Sequence, residues 1–121
     1  MTIVTIEDHG LGNCSYLVEL DDKRALVVDP VRDPSPYVHA ADEHGLRIAV
    51  VAETHLHADF VTGAPELAGL GARVLAPAGG SIERDHHGIE DDEEIELGGV
   101  TLRAIATPGH TPEHLSFLLL D

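Results

Sequence analysis

The chain of 121 residues has one cysteine, no tryptophan and no long apolar run. A single cysteine, Cys14, excludes an internal disulfide and is consistent with a reducing compartment, so we expect a cytoplasmic protein. We expect the Cys14 side chain to be buried, as free cysteine usually is. The absence of an apolar stretch of about 18 residues argues against a membrane span. The N-terminus lacks a basic segment followed by an apolar one, so we expect no signal peptide.

Positive charge is also scarce. Seven lysine and arginine residues face 22 aspartate and glutamate residues, a formal net charge of −15. Nucleic acids and anionic membranes are bound by basic groups, so neither is an expected partner. Much of the acidic excess lies in residues 82–96, which we interpret as a solvated loop with His86 and His87 at the surface. A site for a hard cation is the alternative, although the ligand spacing of a calcium loop is missing.

The order of apolar runs and turn residues predicts an α/β chain with a mixed sheet and flanking helices. Strands are predicted at 2–6, 14–20, 24–29, 47–53, 73–77, 100–106 and 115–120. The pattern Ser35-Pro36 to Gly45 predicts a short helix with Ser35 as N-cap. A second helix is expected within 58–71, and Gly98-Gly99 predicts a hairpin turn. Residues 1–121 are therefore expected to belong to one domain.

Two histidine-bearing segments each follow an apolar strand. His55, His57 and Asp59 follow the strand at 47–53, and His110 and His114 follow the strand at 100–106. Segments at strand ends can converge on one point. Imidazole and carboxylate ligands suit zinc, iron(II) or manganese, and the lack of thiolates disfavours a closed structural zinc site. We therefore predict a catalytic type of metal site.

These segments resemble a known family. "THLHAD" is similar to the THxHxDH motif of the metallo-β-lactamase superfamily, and "TPGHT" is similar to its second histidine loop. The stretches "LGNCSYLV", "VVDPVRD", "ETHLHADFVTGAPELA" and "TPGHTPEHLSFLL" resemble persulfide dioxygenases, especially bacterial ones that are often fused to rhodanese domains. The resemblance extends from about Leu11 to Leu120. It implies an αββα sandwich.

The resemblance also implies roles for single residues. His55 and His110 match metal ligands, with His57 as a further candidate. His57 and Asp59 match positions that orient the ligands or take part in catalysis. Phe60 stands where dinuclear members have a histidine for a second metal, which implies one ion. His114 is a candidate for contact with the substrate or a ligand, with a surface position as the alternative.

The implied activity is oxidation of a thiol persulfide, such as glutathione persulfide, by dioxygen with one iron(II). Two alternatives stay open: a zinc-dependent thioester hydrolase of the hydroxyacylglutathione hydrolase type, and an inactive metal-binding or assembly module. The third ligand of the family is an aspartate about 18–20 residues beyond His110, whereas this sequence ends at Asp121. We therefore expect residues 1–121 to represent the N-terminal half of the sandwich. Such a half should associate with the remaining half or with itself, since its sheet is left uncovered, and a rhodanese domain is a further candidate partner.

Overall fold

The computed structural model describes residues 3–8, 13–21, 23–55, 62–78, 86–107 and 115–120. Its strands are β1 Ile3–Asp8, β2 Asn13–Glu19, β3 Arg24–Val28, β4 Arg47–Ala52, β5 Arg73–Pro77, β6 His87–Ile89, β7 Glu94–Glu96, β8 Thr101–Ala106 and β9 Leu115–Leu120. Its helices are α1 Ser35–Glu43 and α2 Ala64–Gly69. None of the helices in the described part of the chain is long and apolar enough to cross a membrane.

The first six strands form a mixed sheet in the order β1-β2-β3-β4-β5-β6. The pairs β1–β2 and β2–β3 are antiparallel, and the pairs from β3 to β6 are parallel. The helix α1 connects β3 to β4, and α2 lies between β4 and β5. Because parallel strands need such crossovers, the alternation of strand and helix in this part of the chain produces the parallel half of the sheet. The predicted mixed sheet is confirmed.

The last three strands form a separate antiparallel sheet in the order β7-β8-β9. The predicted hairpin joins β7 to β8, with Leu97 N–H donating to the Val100 carbonyl at 2.8 Å. Gly98 and Gly99 between them have φ angles of 77° and 86°. Two successive positive φ angles suit the tight turn of a two-residue hairpin, and glycine adopts them without steric cost.

Two cores define the layers. The core between the two sheets includes Val18, Leu26, Val50, Leu75, Leu102 and Leu115. The core between the large sheet and the helices includes Leu17, Val27, Tyr37, Val51, Leu67 and Val74. Neighbouring residues of β4 therefore face opposite cores, which explains its nearly continuous apolar sequence. The architecture is helices on a mixed sheet on a second sheet, the α/β class that the sequence predicts.

The outer face of the three-stranded sheet is exposed and partly apolar. Ile105, Leu118 and Leu120 are each about two-fifths exposed, between 40% and 43%. These residues alternate with buried or partly buried residues of β8 and β9, so the strands carry apolar side chains on both faces. That pattern is typical of a sheet covered on both sides.

The helix boundaries differ from the predictions in two places. The N-cap of α1 is Pro34 rather than Ser35, because the Pro34 carbonyl accepts the first helical N–H groups, those of Tyr37 and Val38, both at 3.1 Å. The Asp33 carboxylate accepts the Ser35 N–H at 3.0 Å. Gly45 follows the helix with a φ of 67°, as expected of a terminator. The helix α2 begins at Ala64 and not near residue 58, since Thr62 pairs with Val31 in an isolated bridge.

Two further expectations were wrong. The acidic run is not entirely loop, since β6 falls within residues 82–96, as does β7, the first strand of the predicted hairpin. In it, His87 Nε2 lies 2.7 Å from Glu93 Oε2, and the His87 side chain is 38% exposed, which agrees with the expected surface position. Cys14 is exposed. Its neighbour Ser15 faces the buried helix side of the sheet, and strand alternation directs Cys14 to the opposite face.

Candidate metal centre

The carboxyl ends of the parallel strands β3 and β4 lie side by side, and each is followed by polar residues. Asp29 comes directly after β3, and Glu53, Thr54 and His55 come directly after β4. Asp29 N–H donates to the Ala52 carbonyl at 2.9 Å, which extends the pairing to the ends of the strands. In α/β sheets this edge is where ligands bind. His55 is thus brought to the expected position for a site.

The carboxylate of Asp29 holds Thr54 through both of its oxygens. Oδ1 accepts the Thr54 main-chain N–H at 2.8 Å, and Oδ2 accepts the Thr54 hydroxyl at 2.6 Å. Asp29 has a φ of 52°, a left-handed conformation that aspartate tolerates better than most residues. The first residue of the histidine motif is therefore bound to the neighbouring strand.

His55 contacts the same hydroxyl. Its Nδ1 lies 3.0 Å from Thr54 Oγ1, and the residue is half-buried. A hydrogen bond on one ring nitrogen fixes the orientation of an imidazole and defines the role of the other nitrogen. The ring of His55 is therefore connected to Asp29 through Thr54.

A buried tyrosine supports the Asp29 loop. The Tyr37 hydroxyl donates to Ser15 Oγ at 2.9 Å, and Ser15 Oγ donates to the Asp29 carbonyl at 2.6 Å. The same tyrosine oxygen accepts the Val31 N–H at 2.7 Å. Tyr37 is fully buried, so these bonds are shielded from water. They connect α1, β2 and the loop after β3 into one network.

The far end of the histidine segment is anchored to the same loop. Thr62 Oγ1 lies 2.6 Å from Glu53 Oε1 and 3.3 Å from the Pro30 carbonyl, and it accepts the Ala64 N–H at 3.1 Å. Glu53 and Thr62 are both fully buried. Both ends of the segment 54–62 therefore rest on residues 29–31.

Gly63 shows how closely the chain approaches there. Its N–H donates to the Pro30 carbonyl at 3.0 Å, and a Cβ at this position would lie 2.2 Å from the Val31 carbonyl oxygen. Because a main-chain atom would have to move to admit any side chain, glycine is required at this point. The close approach keeps α2 next to the loop after β3.

The residues that flank the second histidine segment lie close to each other and to the start of the first segment. Leu115 N–H donates to the Thr54 carbonyl at 2.7 Å, joining the start of β9 to the end of β4. Thr107 and Ser116, on either side of residues 108–114, have their hydroxyl oxygens 3.0 Å apart. The two histidine-bearing segments therefore have adjacent bases, as predicted from their positions after strands.

Of the predicted site residues, His55 belongs to the part of the chain that the structure describes. The others lie outside the described residues: His57, Asp59, Phe60, His110 and His114. Within the described ranges, no group of three histidine, cysteine, aspartate or glutamate residues could hold a metal ion. The assignment of His55, His57 and His110 as ligands stays a prediction.

The sequence reasoning missed the supporting residues Ser15, Asp29, Tyr37, Glu53 and Thr62. A usable signal was present for two of them. Asp29 and Glu53 are acidic residues that directly follow the apolar strands β3 and β4. An acidic group at such a position requires hydrogen-bond donors nearby, because burying it without them is costly. The partners themselves are distant in sequence and carry no local signal.

These features define a class: an α/β domain in which two histidine-bearing segments, one after a strand of each sheet, have adjacent ends. A family model described as the metallo-beta-lactamase superfamily matches residues 10–73. The chain belongs to the metallo-β-lactamase superfamily.

Three relatives illustrate the similarity. The human protein described as "Persulfide dioxygenase ETHE1, mitochondrial" is 34% identical over 115 residues, covering 90% of this chain and 45% of the relative. A hydroxyacylglutathione hydrolase from Saccharophagus degradans is 40% identical over 117 residues, covering 89% and 43%. The crystal structure of ETHE1 from Myxococcus xanthus matches with a TM-score of 0.88 and 26% identity, covering 98% and 54%.

The covered shares of the relatives' lengths indicate how much of a family domain the chain represents. The chain spans slightly less than half the length of the curated relatives that it matches. That proportion is consistent with half of a family domain. Two of the named relatives are described as enzymes, one a dioxygenase and one a hydrolase, and the family binds metal ions. The comparisons thus support a metal-dependent enzyme fold, whereas the particular reaction is a matter for proposal.

Proposed function

We propose that the chain is the metal-binding part of a persulfide dioxygenase that uses one iron(II) ion. The observation that carries this proposal is the hydrogen bond from Leu115 N–H to the Thr54 carbonyl. It joins the residue that precedes His55 to the first residue of β9, which follows the segment of His110 in the sequence, so the described ends of the two segments are adjacent. The similarity to the human persulfide dioxygenase ETHE1, and to the structure of ETHE1 from Myxococcus xanthus, supports the choice of reaction.

The available donors fit such an ion. His55 is held at the end of β4 by the Thr54 hydroxyl, and the two segments supply imidazole and carboxylate groups without thiolates. This donor set suits iron(II) and also zinc. His55 and His110 would hold the ion, with a carboxylate from a longer family domain as the third ligand. When bound, iron(II) would bring dioxygen and the persulfide together and pass electrons between them.

The proposed reaction balances with water as the other reactant. A persulfide R–S–SH, dioxygen and water give the thiol R–SH, sulfite and two protons. The sulfur–sulfur bond breaks, the two sulfur atoms together lose four electrons, and dioxygen is reduced by the same four. The proposed substrate is glutathione persulfide or another small thiol persulfide, in line with the glutathione-related names among the relatives.

The neighbouring residues have proposed roles of their own. His57 and Asp59 would orient the ligands and a bound water through hydrogen bonds. Phe60 offers no lone pair, so it would leave the second metal position of dinuclear members without a ligand. His114 would contact the substrate or a ligand.

The test is metal content and oxygen uptake after anaerobic loading with iron(II), with glutathione persulfide as substrate. We expect one iron per chain, with oxygen consumed and sulfite formed in equal amounts. The assay is run on the 121-residue chain and on a version extended to the length of its relatives. Iron bound without oxygen uptake in the extended protein would contradict the proposal.

A second candidate is zinc-dependent thioester hydrolysis, favoured by the 40% identity to the hydrolase from Saccharophagus degradans. Water would cleave the carbon–sulfur bond of an acylglutathione. Phe60 weighs against it, since that chemistry usually uses two metal ions. Hydrolysis of S-lactoylglutathione by the zinc-loaded protein distinguishes the two. Hydrolysis without persulfide oxidation would favour this candidate.

Association with further protein is part of the proposal. A mostly apolar cavity of about 380 Å³ lies between β1–β3 and β9, with Tyr16, Val28 and Phe117 in its lining. Together with the exposed Leu118 and Leu120, it leaves apolar surface that the rest of a family-length domain would cover. A homo-oligomer is the alternative, and gel filtration of both lengths separates them. A rhodanese partner and a cytoplasmic location remain proposals.

A further inference from the structure

The hydroxyl of Thr54 lies between a carboxylate and an imidazole. Its oxygen is 2.6 Å from Asp29 Oδ2 and 3.0 Å from His55 Nδ1. We infer that Thr54, directed by Asp29, is a positioning residue that selects the tautomer of His55 with hydrogen on Nδ1 and a lone pair on Nε2. This inference rests on the proposed function in one respect, namely that His55 binds the metal.

The direction of the hydrogen bonds follows from a count of hydrogens. Asp29 accepts the Thr54 main-chain N–H on Oδ1 and faces the Thr54 hydroxyl with Oδ2. An ionised carboxylate has no hydrogen to give, so the hydroxyl donates to it. A threonine hydroxyl has one hydrogen and two lone pairs. Once that hydrogen points at Asp29, the hydroxyl presents only a lone pair to His55.

The ring of His55 must then supply the hydrogen of the remaining bond. In a neutral imidazole one nitrogen carries hydrogen and the other a lone pair. Because Nδ1 donates to Thr54, Nε2 is the nitrogen left with the lone pair. A metal ligand needs that lone pair, and the hydrogen bond on the other nitrogen also orients the ring. The order Asp29–Thr54–His55 therefore prepares one defined atom for metal binding.

The main chain at Asp29 and Thr54 is held in place by hydrogen bonds. Asp29 donates its N–H to the Ala52 carbonyl, and its own carbonyl accepts the Ser15 hydroxyl. The Thr54 carbonyl accepts the Leu115 N–H. Asp29 and Thr54 are thus held by main-chain bonds that do not depend on His55, so replacing one side-chain group should change the polarity of the connection more than its geometry.

Asp29→Asn provides a test of polarity. The asparagine oxygen can still accept the Thr54 N–H, while its NH₂ group faces the Thr54 hydroxyl and donates to it. The hydroxyl hydrogen is then released toward His55 Nδ1, which must accept it. We expect the hydrogen of His55 to move to Nε2, the opposite tautomer. Thr54→Ser keeps the hydroxyl and should keep the original tautomer, and Thr54→Val removes it and should leave a mixture.

The measurement is the pair of ¹⁵N shifts of the His55 ring in metal-free protein, at a pH where the ring is neutral. The resonances are identified by their loss in His55→Gln. The matched control is Asp33→Asn, which makes the same change at another aspartate of the loop after β3. It should leave the ¹⁵N shifts of His55 unchanged. Zinc affinity is measured by competition with a chromophoric chelator and should fall about 10- to 100-fold in Asp29→Asn. Thr54→Ser should bind zinc more tightly than Thr54→Val.

The outcomes separate this inference from the proposed function. The inference is supported if the His55 hydrogen lies on Nδ1 in the native chain and in Thr54→Ser and on Nε2 in Asp29→Asn. This holds even if no variant binds zinc, since a failure to bind zinc counts against the metal site alone. An Nε2–H ring in the native chain, or unchanged shifts in folded Asp29→Asn, overturns it. If Asp29→Asn does not fold, identical tautomers in Thr54→Val and Thr54→Ser overturn it as well.

Discussion

Thr62 and Glu53 are joined by a hydrogen bond of 2.6 Å between Oγ1 and Oε1, and both side chains are completely buried. The glutamate directly follows β4, and the threonine precedes α2. The pair therefore closes the base of the segment that carries His55, His57 and Asp59. Glu53 and Thr62 lie nine residues apart in the sequence, on either side of the motif.

Thr62→Val should destabilise the fold. It keeps the size of the side chain but removes the hydroxyl from Glu53, the Pro30 carbonyl and the Ala64 N–H. Losing hydrogen bonds to buried groups costs about 1–3 kcal/mol. Urea unfolding measures the difference. Thr62→Ser, which keeps the hydroxyl, is the control, and equal stability of the two variants would refute the role of the bond.

Tyr37→Phe should also destabilise the protein, by about 1–3 kcal/mol, because it leaves the Val31 N–H and the Ser15 hydroxyl without this buried partner. It should weaken metal binding too, since Ser15 holds the Asp29 loop. Thermal unfolding and zinc titration measure the two effects. Tyr16→Phe, at a position 40% exposed, should change stability by less than about 0.5 kcal/mol. Similar losses in both variants would argue against the network.

His55→Ala and His110→Ala should each remove most of the bound metal, because each takes away a ligand of a site with few protein ligands. Metal content after anaerobic iron(II) loading and desalting gives the result. The control is His39→Ala, whose exposed ring pairs with Glu43 on α1. Metal retained equally in all three variants would show that the ligands were assigned incorrectly.

Phe60→His should raise the number of metal ions per chain above one in a protein of family length. The change restores an imidazole at the position where dinuclear members carry one. Metal analysis after zinc loading measures the ratio. Phe60→Leu adds no ligand and should leave it at one. A ratio of one in both variants would contradict the explanation given for Phe60.

Glu93 predicts a small dependence of stability on pH. The Glu90 N–H and then the His87 ring hold the pKa of its carboxyl below the ordinary value of 4.5. A lowered pKa in the folded state adds stability above the unfolded value, and that stability is lost as the pH falls below about 4.5. The group is partly exposed, so the effect is at most roughly 1 kcal/mol.

Glu93→Gln tests this dependence by urea unfolding at pH 7 and at pH 3. The variant should be less stable than the native chain at pH 7 and nearly equal to it at pH 3. Glu66→Gln, at an exposed position of α2, controls for the loss of one negative charge. A difference that persists unchanged at pH 3 would exclude the carboxylate as its source.

Local patterns were sufficient for much of the fold. The apolar runs located β1 to β5, β8 and β9, and the paired glycines located the hairpin, because these signals depend on neighbouring residues. Strand β6 was missed, since its three residues His87, Gly88 and Ile89 carry no such pattern. It forms because the edge of β5 offers unpaired main-chain groups, which is a property of the assembled sheet.

The amino-acid sequence by itself determined the family, through "THLHAD" and "TPGHT", and the positions of both segments after strands. The tertiary structure decided how His55 is held. Asp29 and Thr54 are 25 residues apart, and Ser15 and Tyr37 are 22 apart. Parallel pairing of β3 with β4 brings the first pair together, and the packing of α1 on the sheet brings the second. Contacts of this kind leave no local pattern, because each partner's role exists only once the strands are paired.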